Sequence, residues 1–244
     1  MGTQQDAVEA FRAWAVTYDE TVSEELERFA GITHQELLDR LIQLAGIKEG
    51  DRVLDVGTGT GRAAIQCALA LDEGPIVGID MTPDMLARGV LNAERAGVER
   101  RLQYTLGSAV SLPYPDNRFD VVLSSLAVHH TTIGRSLGEM MRVLKPGGRM
   151  VLADMGAPPA WRSAPVSWLM RLLVWAYRLS GNPTAKADAE AFYRTYTAEE
   201  WRGLLTAKGL ERAQVTAILR PGQRIYPCVI LASGKKAVNL AAMA

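Results

Sequence analysis

The short run Val53-Leu54-Asp55-Val56 gives way to a turn with glycine at every second position, Gly57, Gly59 and Gly61, and then to the helical pattern RAAIQCALAL. Glycines in such a turn let the backbone bend tightly and approach a ligand with no Cβ in the way, and the helix that follows opens with free N–H groups. A second apolar run, PIVGID, ends at Asp80. A carboxylate there can accept hydrogen bonds from both hydroxyls of a ribose. Glycine turn and acidic strand end together point to a nucleoside-containing cofactor at the carboxyl ends of the strands. The bland alternative is a tight turn beside a surface acid.

Five candidate strands lie between Asp51 and Asp154: RVLDV (52–56), PIVGID (75–80), RLQYTL (101–106), FDVVLSS (119–125) and RMVLAD (149–154). Each is a short apolar run without strict alternation, as in parallel strands covered on both faces. Helical stretches separate them, one opened by Thr82 as N-cap with Pro83 at the first helical position and stopped by Gly97. The repeated pattern predicts a doubly wound α/β sheet. RAQVTAILR (212–220) and RIYPCVIL (224–231), joined by Pro221-Gly222-Gln223, are too close for a crossover and should pair as an antiparallel hairpin, giving a mixed sheet. Before them, Thr197 and Glu200 form a capping box for a helix that Gly209 ends. The expected organisation is a helical N-terminal cap (1–40), a cofactor-binding core (41–155), a helical insertion (156–196), a closing helix and hairpin (197–234) and a loose tail (235–244).

The 244 residues, 48% of them hydrophobic, suffice for one large domain. Lys and Arg number 27 and balance 27 Asp and Glu, so no global positive field favours nucleic acid. No basic segment followed by an apolar run opens the sequence, and no stretch reaches the ~18 apolar residues that span a bilayer, so a soluble, cytoplasmic protein is expected. Cys67 and Cys228 stand far apart in apolar surroundings; buried thiols are expected, with neither a disulfide framework nor a metal site. The charge is uneven along the chain. Residues 1–30 carry seven acids against Arg12 and Arg28, whereas 156–180 carry Arg162, Arg171 and Arg178 and no acid. The two segments are expected to face each other across a substrate pocket.

The glycine spacing is G-x-G-x-G, not the G-x-G-x-x-G of dinucleotide sites, and the late hairpin does not suit an all-parallel sheet. DVGTGTG (55–61), GID (78–80), LPYPDNRFDVVLSSLAVHH (112–130) and RVLKPGGRMVLAD (142–154) resemble successive motifs of the class I S-adenosylmethionine-dependent methyltransferases. AFRAWAVTYDETV near the start and the layout of the insertion are similar to the ubiquinone/menaquinone biosynthesis group. The resemblance implies a Rossmann-like, seven-stranded mixed sheet and S-adenosylmethionine as cofactor. It implies further that Gly57, Thr58, Gly59 and Gly61 line the methionine and ribose portion, that Asp80 binds the ribose diol and that Met81 packs on the adenine. Asp55 would support the glycine turn, with Ser125 beside it, and Tyr18 would sit on a helix closing over the cofactor. Many relatives read Gly-Asp-Ala after the third strand; here Gly107-Ser108-Ala109 stands there, so Ser108 and Ala109 would meet the adenine without a charged partner. A nicotinamide-dependent oxidoreductase is the second reading, and a non-catalytic methyltransferase-like binding protein the third.

A protonated nucleophile needs a base. His129 and His130 follow the fourth strand and are the imidazoles expected near the site, with His129 preferred and packing or helix capping as the alternative; His34 lies in the N-terminal helical region. Strand four ends in SSLAVHH and not in the Asn/Asp-Pro-Pro-aromatic motif of DNA and glutamine amino-methyltransferases, which leaves a small organic acceptor. The flanks hold the rings: Trp14 and Tyr18 at the start, Trp168, Trp175 and Tyr193 in the insertion. These are the expected contacts, with His129, for a hydrophobic or aromatic substrate. In 165–179 Trp168, Leu172, Trp175 and Leu179 share one helical face. Such a helix suits a substrate lid, a peripheral membrane contact or a homodimer contact, and the residues alone leave all three open.

Overall fold

The computed structural model describes residues 18–168, 172, 175, 195–222 and 227–238. Two helices, α1 (Tyr18–Phe29) and α2 (His34–Ala45), precede β1 (Val53–Val56), α3 (Arg62–Ala70), β2 (Ile76–Asp80), α4 (Pro83–Arg95), β3 (Leu102–Leu106), β4 (Phe119–Ser125), α5 (Ile133–Val143) and β5 (Leu144–Gly156). After the insertion come α6 (Ala198–Ala207), β6 (Leu210–Ile218) and β7 (Cys228–Lys236). The seven strands form one sheet in the order β3-β2-β1-β4-β5-β7-β6, parallel through β5, with β7 antiparallel to both of its neighbours.

Apolar runs with no alternation become strands buried on both faces, and all four residues of β1 are buried. On one face Leu26, Leu37, Leu41, Ala64 and Cys67 pack against Val53, Ile76, Val121 and Val151. On the other, Leu137, Met140, Trp201 and Leu205 pack against Leu54, Val122, Met150 and Ile230. Thr197 and Glu200 form the capping box of α6, and Thr33 with Glu36 forms a second at α2, whose C-terminus closes on left-handed Gly46. No helix crosses between β3 and β4. That loop is tied to α5, where the Arg142 guanidinium donates to the carbonyls of Leu112 (3.0 Å) and Tyr114 (2.7 Å) and the Leu112 N–H donates to Glu139 (2.7 Å).

Three local expectations need correction. Of the expected run 224–231, residues 224–226 lie outside the described residues; Pro227 stands before β7 and not in it, because β7 pairs on both edges and Pro227 has no N–H to give an inner strand. It continues through Lys236, so Lys235 and Lys236, expected in the tail, are paired strand residues, and the Lys236 ammonium donates to the carbonyls of Met141 and Leu144 (2.7 Å each). Thr82 stands at the N-cap of α4, yet its side chain makes no capping bond; its backbone N–H is spent on Asp80. Both cysteines are buried, and burial pushes the Cys228 thiol up to about 11. Among the described residues no helix is long and apolar enough to cross a membrane.

Candidate active site

The glycine turn is shaped by its neighbours. Gly57, Gly59 and Gly61 all have positive φ (71°, 53° and 82°). A Cβ on Gly57 would lie 2.3 Å from that of Ala127, and one on Gly61 2.2 Å from the Tyr104 hydroxyl, so these two glycines admit the chain after β4 and the ring from β3. Gly59 differs, since a Cβ there meets nothing within 4 Å. The turn is anchored to β2 by the Gly57 and Thr58 N–H groups, which donate to the Ile79 carbonyl (2.8 and 3.0 Å).

Asp80 is held by main chain on both sides. The Gly59 N–H donates to its Oδ2 (2.9 Å) and the Thr82 N–H to its Oδ1 (2.9 Å). Burial raises its pKa, against these hydrogen bonds, which lower it. Asp55 is 1% exposed, and burial pushes it up to about 7 although the Thr58 hydroxyl donates to its Oδ2 (2.7 Å). Its Oδ1 and the Ser125 hydroxyl are buried without a hydrogen-bond partner.

A cleft open to solvent is lined by Tyr18, Asp55, Gly57, Thr58, Gly59 and Ser125 of the expected cofactor residues. His34, Thr60, Arg62 and Leu126 line it too. Gly61, Asp80, Met81, Ser108, Ala109, His129 and His130 are not among the lining residues, although Asp80 borders the cleft through Gly59. Ser108 sits in a short turn with a bridge to Ser111. The Tyr18 phenol is raised by burial and then by the field of Asp80. Its helix is tied down next door, where the Thr60 hydroxyl donates to Asp19 (2.7 Å). His34 in this cleft is a correction: the N-terminal helix pair folds back onto the glycine turn, which its distance in sequence concealed.

The second cluster lies past β4. Leu126 adopts a positive φ of 53°, a conformation that costs a branched side chain energy, and a 3-10 turn at Val128–His130 follows. The turn sets the His129 ring, 7% exposed, against the Asp154 carboxylate at the end of β5, with Nδ1 hydrogen-bonded to Asp154 Oδ1. That oxygen also accepts from the Met155 N–H (2.9 Å), while Oδ2 is buried without a partner. His130 stacks at 3.8 Å between ring centroids, tilted by 44°. Sequence reasoning missed Asp154. The signal was present, because β4 and β5 are adjacent parallel strands and their carboxyl ends must be neighbours.

Of the expected substrate contacts, Trp14 and Tyr193 lie outside the described residues. Trp168 and Trp175 are 76% and 60% exposed, and neither lines the cleft. Among the described residues Arg162 pairs with Glu200 (2.7 Å).

A parallel sheet closed by an antiparallel strand between β5 and the edge, with the glycine turn and an acid ending β2, defines the class I S-adenosylmethionine-dependent methyltransferases and not the nicotinamide oxidoreductases. The chain belongs to the Methyltransferase domain family, which matches residues 47–208. It is 37% identical over 125 residues to 27-O-demethylrifamycin SV methyltransferase of Amycolatopsis mediterranei, covering 51% of this chain and 46% of that protein. It is 34% identical over 131 residues to the ubiquinone/menaquinone biosynthesis C-methyltransferase UbiE of Dinoroseobacter shibae (53% and 52% covered). The chain thus spans about half the length of these curated relatives. Among solved structures, geranyl diphosphate C-methyltransferase from Streptomyces coelicolor shares the fold with a TM-score of 0.67 at 14% identity, covering 90% of this chain and 84% of that one.

Proposed function

We propose that this chain transfers the methyl group of S-adenosylmethionine to a hydroxyl of a small, rather hydrophobic acceptor, with His129 as general base. The hydrogen bond between His129 Nδ1 and Asp154 carries the reading. The cleft suits the cofactor on two counts: the unpartnered Asp55 Oδ1 and Ser125 hydroxyl call for a polar ligand, and the space beyond Gly59 is open.

The cofactor, when bound, supplies a sulfonium-activated methyl group whose transfer is intrinsically favourable. The protein's share is to position the acceptor in line and to take its proton. Asp154 fixes the imidazole with the proton on Nδ1, so Nε2 is the basic nitrogen, and it stabilises the imidazolium formed when Nε2 accepts the hydroxyl proton. Transfer to an X–H acceptor releases one proton whichever atom is methylated; a hydroxyl is the group whose proton the His129–Asp154 pair can take directly as the bond forms. The relatives include both kinds, a rifamycin O-methyltransferase and quinone C-methyltransferases.

Release of S-adenosylhomocysteine in the presence of hydroxylated hydrophobic acceptors tests this. His129→Ala is expected to lower kcat by about 10²–10⁴-fold with cofactor affinity retained, and Asp154→Asn to lower it less. A His129→Ala rate within about twofold of the parent, far below what a general base contributes, would overturn the role.

A further inference from the structure

We propose that the chain carries a second binding site, toward the amino ends of β1 and β4, for a small organic anion whose apolar body lies on Val77, Tyr114 and Phe119 and whose carboxylate or phosphate is met by Arg52 and Arg118. The site shares no lining residue with the cofactor cleft and stands whether or not that cleft holds S-adenosylmethionine.

The space follows from the topology. No helix crosses between β3 and β4, so the loop that joins them covers this part of the sheet, with Leu112 and Tyr114 packed among Val77, Ile79 and Phe119. Val77 of β2 pairs with Gln103 of β3, and Thr105 stands two residues on, so the three share one sheet face. A cavity of about 120 Å³ opens there, several times what one water needs, with Tyr114, Phe119 and the two arginines completing its walls. Val77 and Phe119 are 8% and 3% exposed, and the Tyr114 ring meets Phe119 edge-on at 5.1 Å between centroids. The Tyr114 hydroxyl is shut off from water and completes no hydrogen bond; burial raises its pKa, against the neighbouring Thr105 side chain, which lowers it.

The charges around the cavity do not cancel. Asp51 pairs with Arg149, Asp116 with Arg142 (2.9 Å) and Asp120 with Lys145 (2.7 Å). Asp120 lies in the field of Arg52, yet what Arg52 donates to it is the backbone N–H (3.1 Å). Among the described residues the Arg52 and Arg118 guanidinium groups make no ion pair and no hydrogen bond. Two like charges on one cavity gain from a shared anion, and their planar forks match a carboxylate or a phosphate. The apolar floor sets what that anion must carry. An inorganic ion leaves Val77 and Phe119 uncovered, whereas an aryl group covers them.

Benzoate, phenyl phosphate, inorganic phosphate and benzyl alcohol, titrated by saturation-transfer NMR, test the site. At least one of the two aryl anions is expected to bind saturably, about tenfold or more tightly than inorganic phosphate or benzyl alcohol, and the tighter of the two names the head group. Saturating S-adenosylhomocysteine should leave it bound. Arg118→Gln, at an exposed position, and Arg52→Gln are each expected to weaken it about tenfold, with melting temperature and S-adenosylhomocysteine affinity retained. No saturable binding of either aryl anion up to about 10 mM, a concentration that reaches even millimolar sites, would overturn the proposal. So would an affinity unchanged by Arg118→Gln, inorganic phosphate binding as tightly as phenyl phosphate, or displacement by S-adenosylhomocysteine, which would move the probe to the cofactor cleft.

Discussion

Asp55 is a carboxylate with almost no water around it, and its pKa of about 7 is set first by burial, against hydrogen bonds from Thr58 and the Ala64 N–H. The sign of its effect follows. With the folded pKa above that of an ordinary carboxylate, folding favours the protonated form; the stability it confers is complete in acid and is lost as pH rises through 7. The ligand-free protein is therefore expected to melt at a lower temperature at pH 8.5 than at pH 5.5 through this group. Asp55→Asn, which still offers Thr58 an acceptor, should flatten that slope in scanning calorimetry. An unchanged slope would show that Asp55 is ionised throughout. A cation bound beside it would act in reverse, its affinity rising as pH passes through 7 with release of a proton. At this scale the sequence disclosed Asp55, Asp80 and His129, because each sits at a strand end or in a glycine turn. His34 and Asp154 were hidden because their roles come from tertiary neighbours: Asp154 from an adjacent strand, His34 from the return of α2 onto the turn.

The unit of strand, glycine turn and helix works as an element because Tyr104 from β3 fills the space that Gly61 leaves. Its hydroxyl donates to the Gly89 carbonyl (3.1 Å), so the ring ties α3, α4 and β3 together. Gly61→Ala adds a methyl 2.2 Å from that hydroxyl at a φ of 82°, and is expected to destabilise the fold by about 1–3 kcal/mol in urea denaturation. Adding Tyr104→Phe should recover part of the loss by removing the clashing oxygen; no recovery would assign the cost to backbone strain alone. The same reasoning explains which elements were legible. The parallel strands and α6 announce themselves through apolar runs and a capping box. The register of the hairpin did not, because the apolar pattern of RIYPCVIL points to one segment while Pro227 rules it out for a strand paired on both edges.

In the whole molecule the zero net charge is a sum of opposed segments, and the structure shows how some of these charges are used. Asp19 of the acidic segment engages Thr60 and Arg62 at the glycine turn, and Arg162 of the basic segment engages Glu200 on α6. Each pairs with the scaffold; much of both segments lies outside the described residues. The N-terminal helix pair thus contributes Tyr18 and His34 to the cleft beside the glycine turn. Calorimetric titration with S-adenosylhomocysteine tests this account most directly. The protein is expected to bind one equivalent with a dissociation constant of tens of micromolar or below, and Asp80→Ala to weaken it by about 1–3 kcal/mol, the loss of charge-assisted hydrogen bonds. No heat of binding at those concentrations, or an affinity unchanged by Asp80→Ala, would contradict it.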